Sequence, residues 1–341
     1  MEQIVKLADI AEAVGVSTVS VSKALSGQKG VSDEMRKKIK ETAEKMGYVK
    51  PVATKKTKVK EGGSNIGILM AERYASKYTS FYWHLYQEVS KAAMDQACYT
   101  MFEIVDISDE EQKKIPKIVL ENKVDGIIVI GKMDRDYLAN FQKKYDIPTV
   151  YLDFYDDMEV ADAVISNSFY GEYLLCNFLH NLGHEKIAFV GTVGATKSIT
   201  DRYLGYRKCL IENDIEFKKD YVIEDRDQSN SRMVEEDKIK MPKDMPTAFV
   251  CNCDLTAAYV INRLQKDGYR VPEDISVVGF DDFLFPGLCN TGITTYEVNM
   301  TDMARISIEK VINKISNPNY KPGVFIVEGQ LIERDSTAPV K

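Results

Sequence analysis

The side chains that invite a search for chemistry in this chain of 341 residues are three histidines, six cysteines and one adjacent pair of aspartates. His180 and His184 stand one helical turn apart, but no zinc-ligand set is evident around them, and a structural role is the simpler reading of both. Asp281 and Asp282 close the apolar run ISVVGF. Adjacent residues at a strand end point apart, so the pair suits a hydrogen-bond acceptor for a ligand, or a helix cap, better than acid–base catalysis. Cys251 and Cys253 are the only cysteines close in sequence, which gives neither a CxxC metal pair nor a disulfide framework, and all six read as reduced, buried thiols. With no GxGxxG after a strand, no GxxxxGK[ST], no HExxH and no GxSxG, the sequence assigns no catalytic residue, no metal and no cofactor. The chain therefore reads as a binding protein and not as an enzyme.

The elements that must position any binding residues are short. Apolar strands (NIGILM 65–70, YTMFEIV 99–105, GIIVI 126–130, KIAFVG 186–191, TAFVC 247–251 and ISVVGF 275–280) alternate with amphipathic helical stretches, which implies βαβ units and parallel sheets covered on both faces. About 280 residues of such units exceed one comfortable sheet, so two doubly wound lobes are expected, with any ligand between the carboxyl ends of their strands. A hydroxyl-rich ligand in such a cleft needs Asp, Asn and Arg as planar, multidentate partners and aromatic rings against its apolar face.

Composition and charge narrow the classes further. At 44% hydrophobic and 28% charged residues the chain can bury real cores, so disorder is not the default. No run of about 18 apolar residues exists to cross a bilayer. The N-terminal MEQIVKLADIAEAVG lacks the basic-then-apolar profile of a secretory signal, and a cytoplasmic protein without membrane partners is expected. Residues 1 to 60 hold 13 Lys and Arg against 7 Asp and Glu, whereas the remainder holds 32 against 45. A basic end on an acidic body suggests a polyanion contact confined to the N-terminal segment.

The helical pattern there is more specific than its charge. Leu7, Ile10, Ala11 and Val14 follow the spacing of one buried helix face, and Gly15 sits where a helix would stop in a left-handed conformation. Ser17 can cap a second helix, with Val21, Ala24 and Leu25 inward and Thr18, Val19, Ser22 and Lys23 outward. A third helix follows Ser32, with Met35, Ile39, Ala43 and Met46 inward, and ends at Gly47. Three short helices with a tight turn between the first two describe a helix-turn-helix unit. The small residues of the second helix suit a major groove, where Val19 offers apolar contact and Lys23 reaches guanine acceptors or a phosphate.

The runs LADIAEAVGVSTVSVSKALSG (7–27) and VSDEMRKKIKETAEKMGY (31–48) resemble the headpiece of the lactose/galactose repressor (LacI/GalR) family of bacterial transcription regulators. VDGIIVI (124–130), IPTVYLD (147–153), NLGHEKIAFVG (181–191), DRYLGYRKCL (201–210) and VPEDISVVGFDD (271–282) follow in that family's order and spacing, so the resemblance spans nearly the whole chain. It implies a helix-turn-helix domain (1–49), a hinge (50–63) and a periplasmic-binding-protein-like core (64–341). Chain crossings near residues 163, 293 and 324 would divide that core into an N-lobe (about 64–163 and 294–324) and a C-lobe (about 164–293 and 325–341). The resemblance also implies a homodimer on a pseudo-palindromic double-stranded operator, most simply a repressor, regulated by a small sugar-like effector between the lobes. Ser17, Thr18, Val19, Ser22 and Lys23, with Lys55 and Lys56 of the hinge, are the expected DNA contacts. Asp153, Arg202, Asp254 and Asp281 match effector positions, and Phe81, Tyr82 and Trp83 fall on the aromatic helix at the cleft mouth.

Two features depart from the family pattern. NCD (252–254) puts Cys253 where the family often has a ligand-binding Asn, leaving Asn252 as a substitute or pointing to an unusual effector. In the hinge KPVATKKTKVKEGG (50–63), the Leu that wedges into the minor groove in relatives becomes Lys56 or Lys58, and Val52 or Val59 is left as the only apolar alternative. A flexible, charged linker carrying Lys55, Lys56, Lys58 and Lys60 is equally consistent with this composition. Control by a protein corepressor, or a sugar receptor without a transcriptional role, are the competing readings.

Overall fold

The computed structural model describes residues 7–25, 30–46, 48, 63–75, 80–156, 161–227, 233–284, 287–317 and 319–340. The chain divides into two compact units, Met1–Lys56 and Thr57–Lys341.

The first unit contains α1 (Leu7–Val14), α2 (Thr18–Leu25) and α3 (Asp33–Lys45). Their apolar faces meet in one core of Ile10, Ala11, Val14, Val21, Ala24, Ile39 and Ala43, as the spacing requires. Gly15 has φ +77°, the left-handed conformation that lets α1 stop and the chain turn within three residues. Ser17 Oγ accepts the backbone N–H of Ser20 at 3.1 Å and so caps α2. Ser32 does the same for α3, through Met35 N. Arg36 of α3 donates to the carbonyls of Lys23 and Ala24, satisfying the open end of α2 and tying the two helices together.

The second unit holds two six-stranded sheets. The first comprises β1 (Asn65–Ala71), β2 (Tyr99–Val105), β3 (Gly126–Ile130), β4 (Thr149–Leu152), β5 (Asp162–Ser166) and β11 (Val324–Val327), in the order β11-β5-β4-β3-β1-β2. The second comprises β6 (Ile187–Val190), β7 (Val222–Ile223), β8 (Ala248–Cys251), β9 (Ser276–Asp281), β10 (Thr294–Glu297) and β12 (Gln330–Ile332), in the order β12-β10-β9-β8-β6-β7. All pairings are parallel except β10 with β12. Central strands β3, β4, β6 and β8 are buried along their whole length, because helices cover both faces. α4 (Phe81–Asp95) and α11 (Met300–Ser316) pack together on one face of the first sheet, and α7 (Arg135–Tyr145) covers the other. α8 (Ser168–Asn181) and α9 (Lys197–Glu212) are the most closely packed pair in the second lobe, with α10 (Asp254–Lys266) on its other face. Two short helices, α5 (Ile107–Glu111) and α6 (Lys117–Leu120), link β2 to β3.

The chain passes between the sheets after Ser166, after Glu297 and between Val327 and Gln330. Each crossing falls a few residues beyond the point the sequence suggested. β10, expected in the N-lobe from residue 294, pairs with β9 in the second sheet, and β11, expected in the C-lobe from residue 325, pairs with β5 in the first. The reason is physical: an extended apolar segment has the same pattern in either sheet, and only its hydrogen-bonded neighbour decides which it joins. Two of the crossings feed directly into capped helices, with Asn167 accepting Tyr170 N before α8 and Asn299 accepting Asp302 N before α11.

Candidate functional site

In the first unit, α2 presents Thr18, Val19 and Ser22 outward while Val21 and Ala24 are buried. Val19 is 60% exposed, an apolar side chain with no core to fill. Ser17 is exposed and Lys23 half-buried at the same surface. Lys55 and Lys56, with Val52, Lys58, Val59 and Lys60 of the hinge, lie outside the described residues, as does Gly47.

The second site forms where strands of the two sheets end. β4 terminates at Asp153 (φ +66°), and β9 ends with Asp281 (φ +105°) followed by Asp282 (φ +51°). Non-glycine residues in this region cost about 1–3 kcal/mol of backbone strain and persist where surrounding contacts over-determine them. Here the contacts are explicit. Asp281 Oδ1 accepts from Arg202 Nη2 at 3.1 Å, and Asp282 pairs with Arg334 at 2.7 Å. Arg202, on α9, also donates through Nη1 to the Asn252 carbonyl, and its guanidinium lies 3.7 Å from the Phe280 ring centroid. Asp153 Oδ2 accepts from Tyr82 at 3.0 Å. Burial pushes the Asp153 carboxyl up to about 7 and raises that of Asp281, in both cases against the pull of Arg202.

Aromatic and polar contacts bring the lobes together around this group. Phe81 of α4 meets Phe283, beyond β9, edge to face at 6.3 Å, and His84 lies 6.0 Å from the same ring. Tyr155, after β4, donates towards both oxygens of Asp201 at 3.2 Å, with Lys197 4.4 Å from its ring. A small cavity beside these contacts is lined by Asp153, Ser166, Ser198 and Asp201 together with Phe154 and Ile165. A larger groove lies elsewhere, beside the edge strand β7, with Glu224, Lys238, Lys240 and Lys243 in its walls. Its charges are mixed, its Arg226 is already held by Asp225 and Asn252, and its lining comes from one lobe alone, whereas the cleft gathers side chains from both lobes and is the stronger candidate.

The sequence-chosen residues separate on inspection. Asp153, Arg202, Asp281, Phe81 and Tyr82 come together, whereas Trp83 turns to Tyr86 and to Phe102 of β2. Asp254 is buried, with one oxygen accepting Phe283 N at 2.9 Å, so it holds the loop that carries Phe283. Burial pushes its carboxyl up to about 8. Asn252 faces inward: its amide donates to Val190 O and Asp225 Oδ2, which removes it as a substitute for a ligand-binding Asn. Cys253 is buried against the Thr256 hydroxyl. Three residues that sequence reading passed over matter here. Asp225 collects bonds from Thr192, Asn252, Thr256 and Arg226, and although burial opposes it, these donors hold its carboxyl below the ordinary value. Phe283 meets Phe81 and His84 of the other lobe, and Glu172 on α8 is fully buried within the fields of Arg202 and Asp281. Only the position of Phe283, directly after the acidic pair, offered a signal.

His184 is structural: Nδ1 meets Thr247 Oγ1 and Nε2 meets Ser276 Oγ, both at 3.0 Å. Among the described residues no group of three His, Cys, Asp or Glu could hold a metal ion, and no helix is long and apolar enough to cross a membrane.

A helix-turn-helix unit joined in one chain to two doubly wound α/β lobes defines a class, DNA-binding proteins with a periplasmic-binding-protein-like core. Comparison supports both halves. The description of bacterial regulatory proteins of the lacI family matches residues 6–50, and that of a periplasmic binding protein-like domain matches residues 176–337. The HTH-type transcriptional repressor PurR of Aliivibrio salmonicida is 26% identical over 330 residues, 96% of this chain and 97% of that protein. Among solved structures, the transcriptional regulator CelR–cellobiose complex shares the fold at a TM-score of 0.68 and 19% identity, over 97% of this chain and 99% of that one. The lac repressor dimer bound to operator and the anti-inducer ONPF does so at 0.65 and 21%, over 98% and 100%. Residues 6–50 therefore match the regulatory headpiece of the lacI family, and over nearly its whole length the chain is similar to a DNA-binding transcriptional repressor.

Proposed function

We propose that the protein is a cytoplasmic repressor that binds a pseudo-palindromic operator as a homodimer and whose operator affinity is set by a small carbohydrate-like effector held between the core lobes. The observation that carries this reading is the convergence of Asp153, Arg202 and Asp281 at strand ends from both lobes, beside Phe81, Tyr82 and Phe283. Carboxylates and a guanidinium supply the paired hydrogen bonds that vicinal hydroxyls need, and the rings cover an apolar sugar face. In this reading Asp254 acts indirectly, by holding the Phe283 loop. The name of the PurR relative supports repression, and the cellobiose complex and operator-bound dimer among structural neighbours support a sugar effector and a dimer. Thr18, Val19 and Ser22 read the major groove, Lys23 beside them reaches a phosphate, Ser17 and the hinge residues Lys55 and Lys56 also contact phosphates, and the acidic body stays off the duplex.

A thermal-shift panel of mono- and disaccharides, their phosphates and purines on the full-length protein tests the effector class, because a ligand that prefers the native state raises the melting temperature. A saturable rise with one sugar class is the expected result. A rise with purines alone, or with none of the panel, overturns the carbohydrate reading.

A further inference from the structure

Glu172, near the start of α8, is fully buried, and neither of its carboxyl oxygens has a hydrogen-bond partner among the described residues. A carboxyl in that setting is costly to ionise and is retained at a loss unless something pairs with it. The cation whose field reaches it is Arg202, on the helix packed along α8. Arg202 is also incompletely used. Its two terminal nitrogens donate to Asn252 O and Asp281 Oδ1, but its buried Nε has no partner among the described residues. The Nε edge of a guanidinium is half of the fork that a carboxylate fills with two parallel bonds. An unused donor edge and an unused carboxyl on adjacent helices are complementary halves of one unmade pair.

We infer that Glu172 is a positioning residue for Arg202: when an effector engages Asp281, Glu172 receives the Nε edge of Arg202, which keeps its counter-ion and orientation while Asp281 turns to the ligand. This rests on the reading that Asp281 and Arg202 bind the effector. The groups that face Glu172 are Arg202 from α9, Asp281 from the end of β9, Cys251 from β8 and Cys176 on its own helix. Burial raises both thiols and keeps them neutral, so Arg202 is exchanged between Asp281 and Glu172, with Arg226 also acting on Asp281 and Arg202 also acting on Asp153. Burial also pushes the Glu172 carboxyl up to about 8, against Arg202, so it is protonated at neutral pH while Arg202 is engaged with Asp281. Handing Arg202 to Glu172 ionises it and releases that proton.

The handover can be forced without any ligand by removing the competing carboxyl. The full-length protein, Glu172→Gln, Asp281→Asn and the double variant are melted between pH 4.5 and 9. A carboxyl raised from the ordinary Glu value to about 8 loses stability for the fold as pH climbs between those limits, so Glu172→Gln gains melting temperature over that range relative to its parent. In the Asp281→Asn background, which also removes the like charge that helps to raise Glu172, the gain is expected to shrink by at least half and to complete below pH 7, because Arg202 now pairs with ionised Glu172. Identical curves in the two backgrounds overturn the inference. Glu172→Ala repeats the measurement if Glu172→Gln does not fold. Because no effector is used, a ligand panel without hits would overturn the carbohydrate reading and leave this result standing, and the reverse also holds.

Discussion

At the scale of residues, Arg202 connects most of the cleft: it touches Asp281, the Asn252 carbonyl and the Phe280 ring, and its charge reaches Asp153 and Glu172. Removing it leaves buried carboxyls without their cation, so Arg202→Ala is expected to abolish effector binding in calorimetric titration and also to lower stability. Asp281→Asn keeps the shape of its side chain and loses the charge, and should weaken binding at least 10-fold, about the 1.4 kcal/mol worth of one charge-assisted hydrogen bond. Asp153 contributes a pH signature of its own. Its carboxyl is raised to about 7, so the native state prefers it protonated and loses stability as pH rises from the ordinary Asp value through 7. Asp153→Asn should therefore flatten the melting temperature over that window and gain most above pH 7. The cleft trio was legible because motif resemblance carries residue types to strand ends. Glu172 and Asp225 were not, since a Glu or Asp in the sequence gives no sign of whether helix packing will bury it.

At the scale of elements, α2 is composed of residues that form a poor isolated helix, and it holds through its cap, its buried Val21 and Ala24 and the Arg36 bonds to its last turn. Ser17→Ala removes the side-chain acceptor for Ser20 N and should cost about 1 kcal/mol of headpiece stability in denaturant unfolding. Val19→Ala touches no core and should leave that stability unchanged while weakening operator binding. Unchanged affinity would refute the groove-facing assignment. Lys23→Ala should reduce the slope of log affinity against log salt by about 1, the mark of one lost phosphate contact. These three helices were legible residue by residue, because their 3.6-residue spacing, caps and Gly15 are local signals. The strands between the lobes were not: β10 and β11 have apolar patterns that either sheet would accept, and their hydrogen-bonded neighbours lie far along the chain.

At the scale of the whole molecule, an effector that changes operator affinity by some factor must have its own affinity changed by the operator through the same factor. The two constants, measured in both orders on the full-length protein, should agree on a coupling within the usual range of about 5- to 150-fold. Equal effector affinity with and without operator would disconnect the core from DNA binding. The sequence by itself determined the two kinds of domain, the basic N-terminal end, the α/β class of the core and the residue types at its strand ends. All of these depend on spacing and composition within a few tens of residues. Only the tertiary structure decided which strands share a sheet, that Asn252 turns inward and Trp83 outward, that Asp254 holds a loop, and that Glu172 is buried within the field of Arg202 with both incompletely paired. Burial and partnership belong to pairs of residues, and those pairs exist only once distant segments have packed.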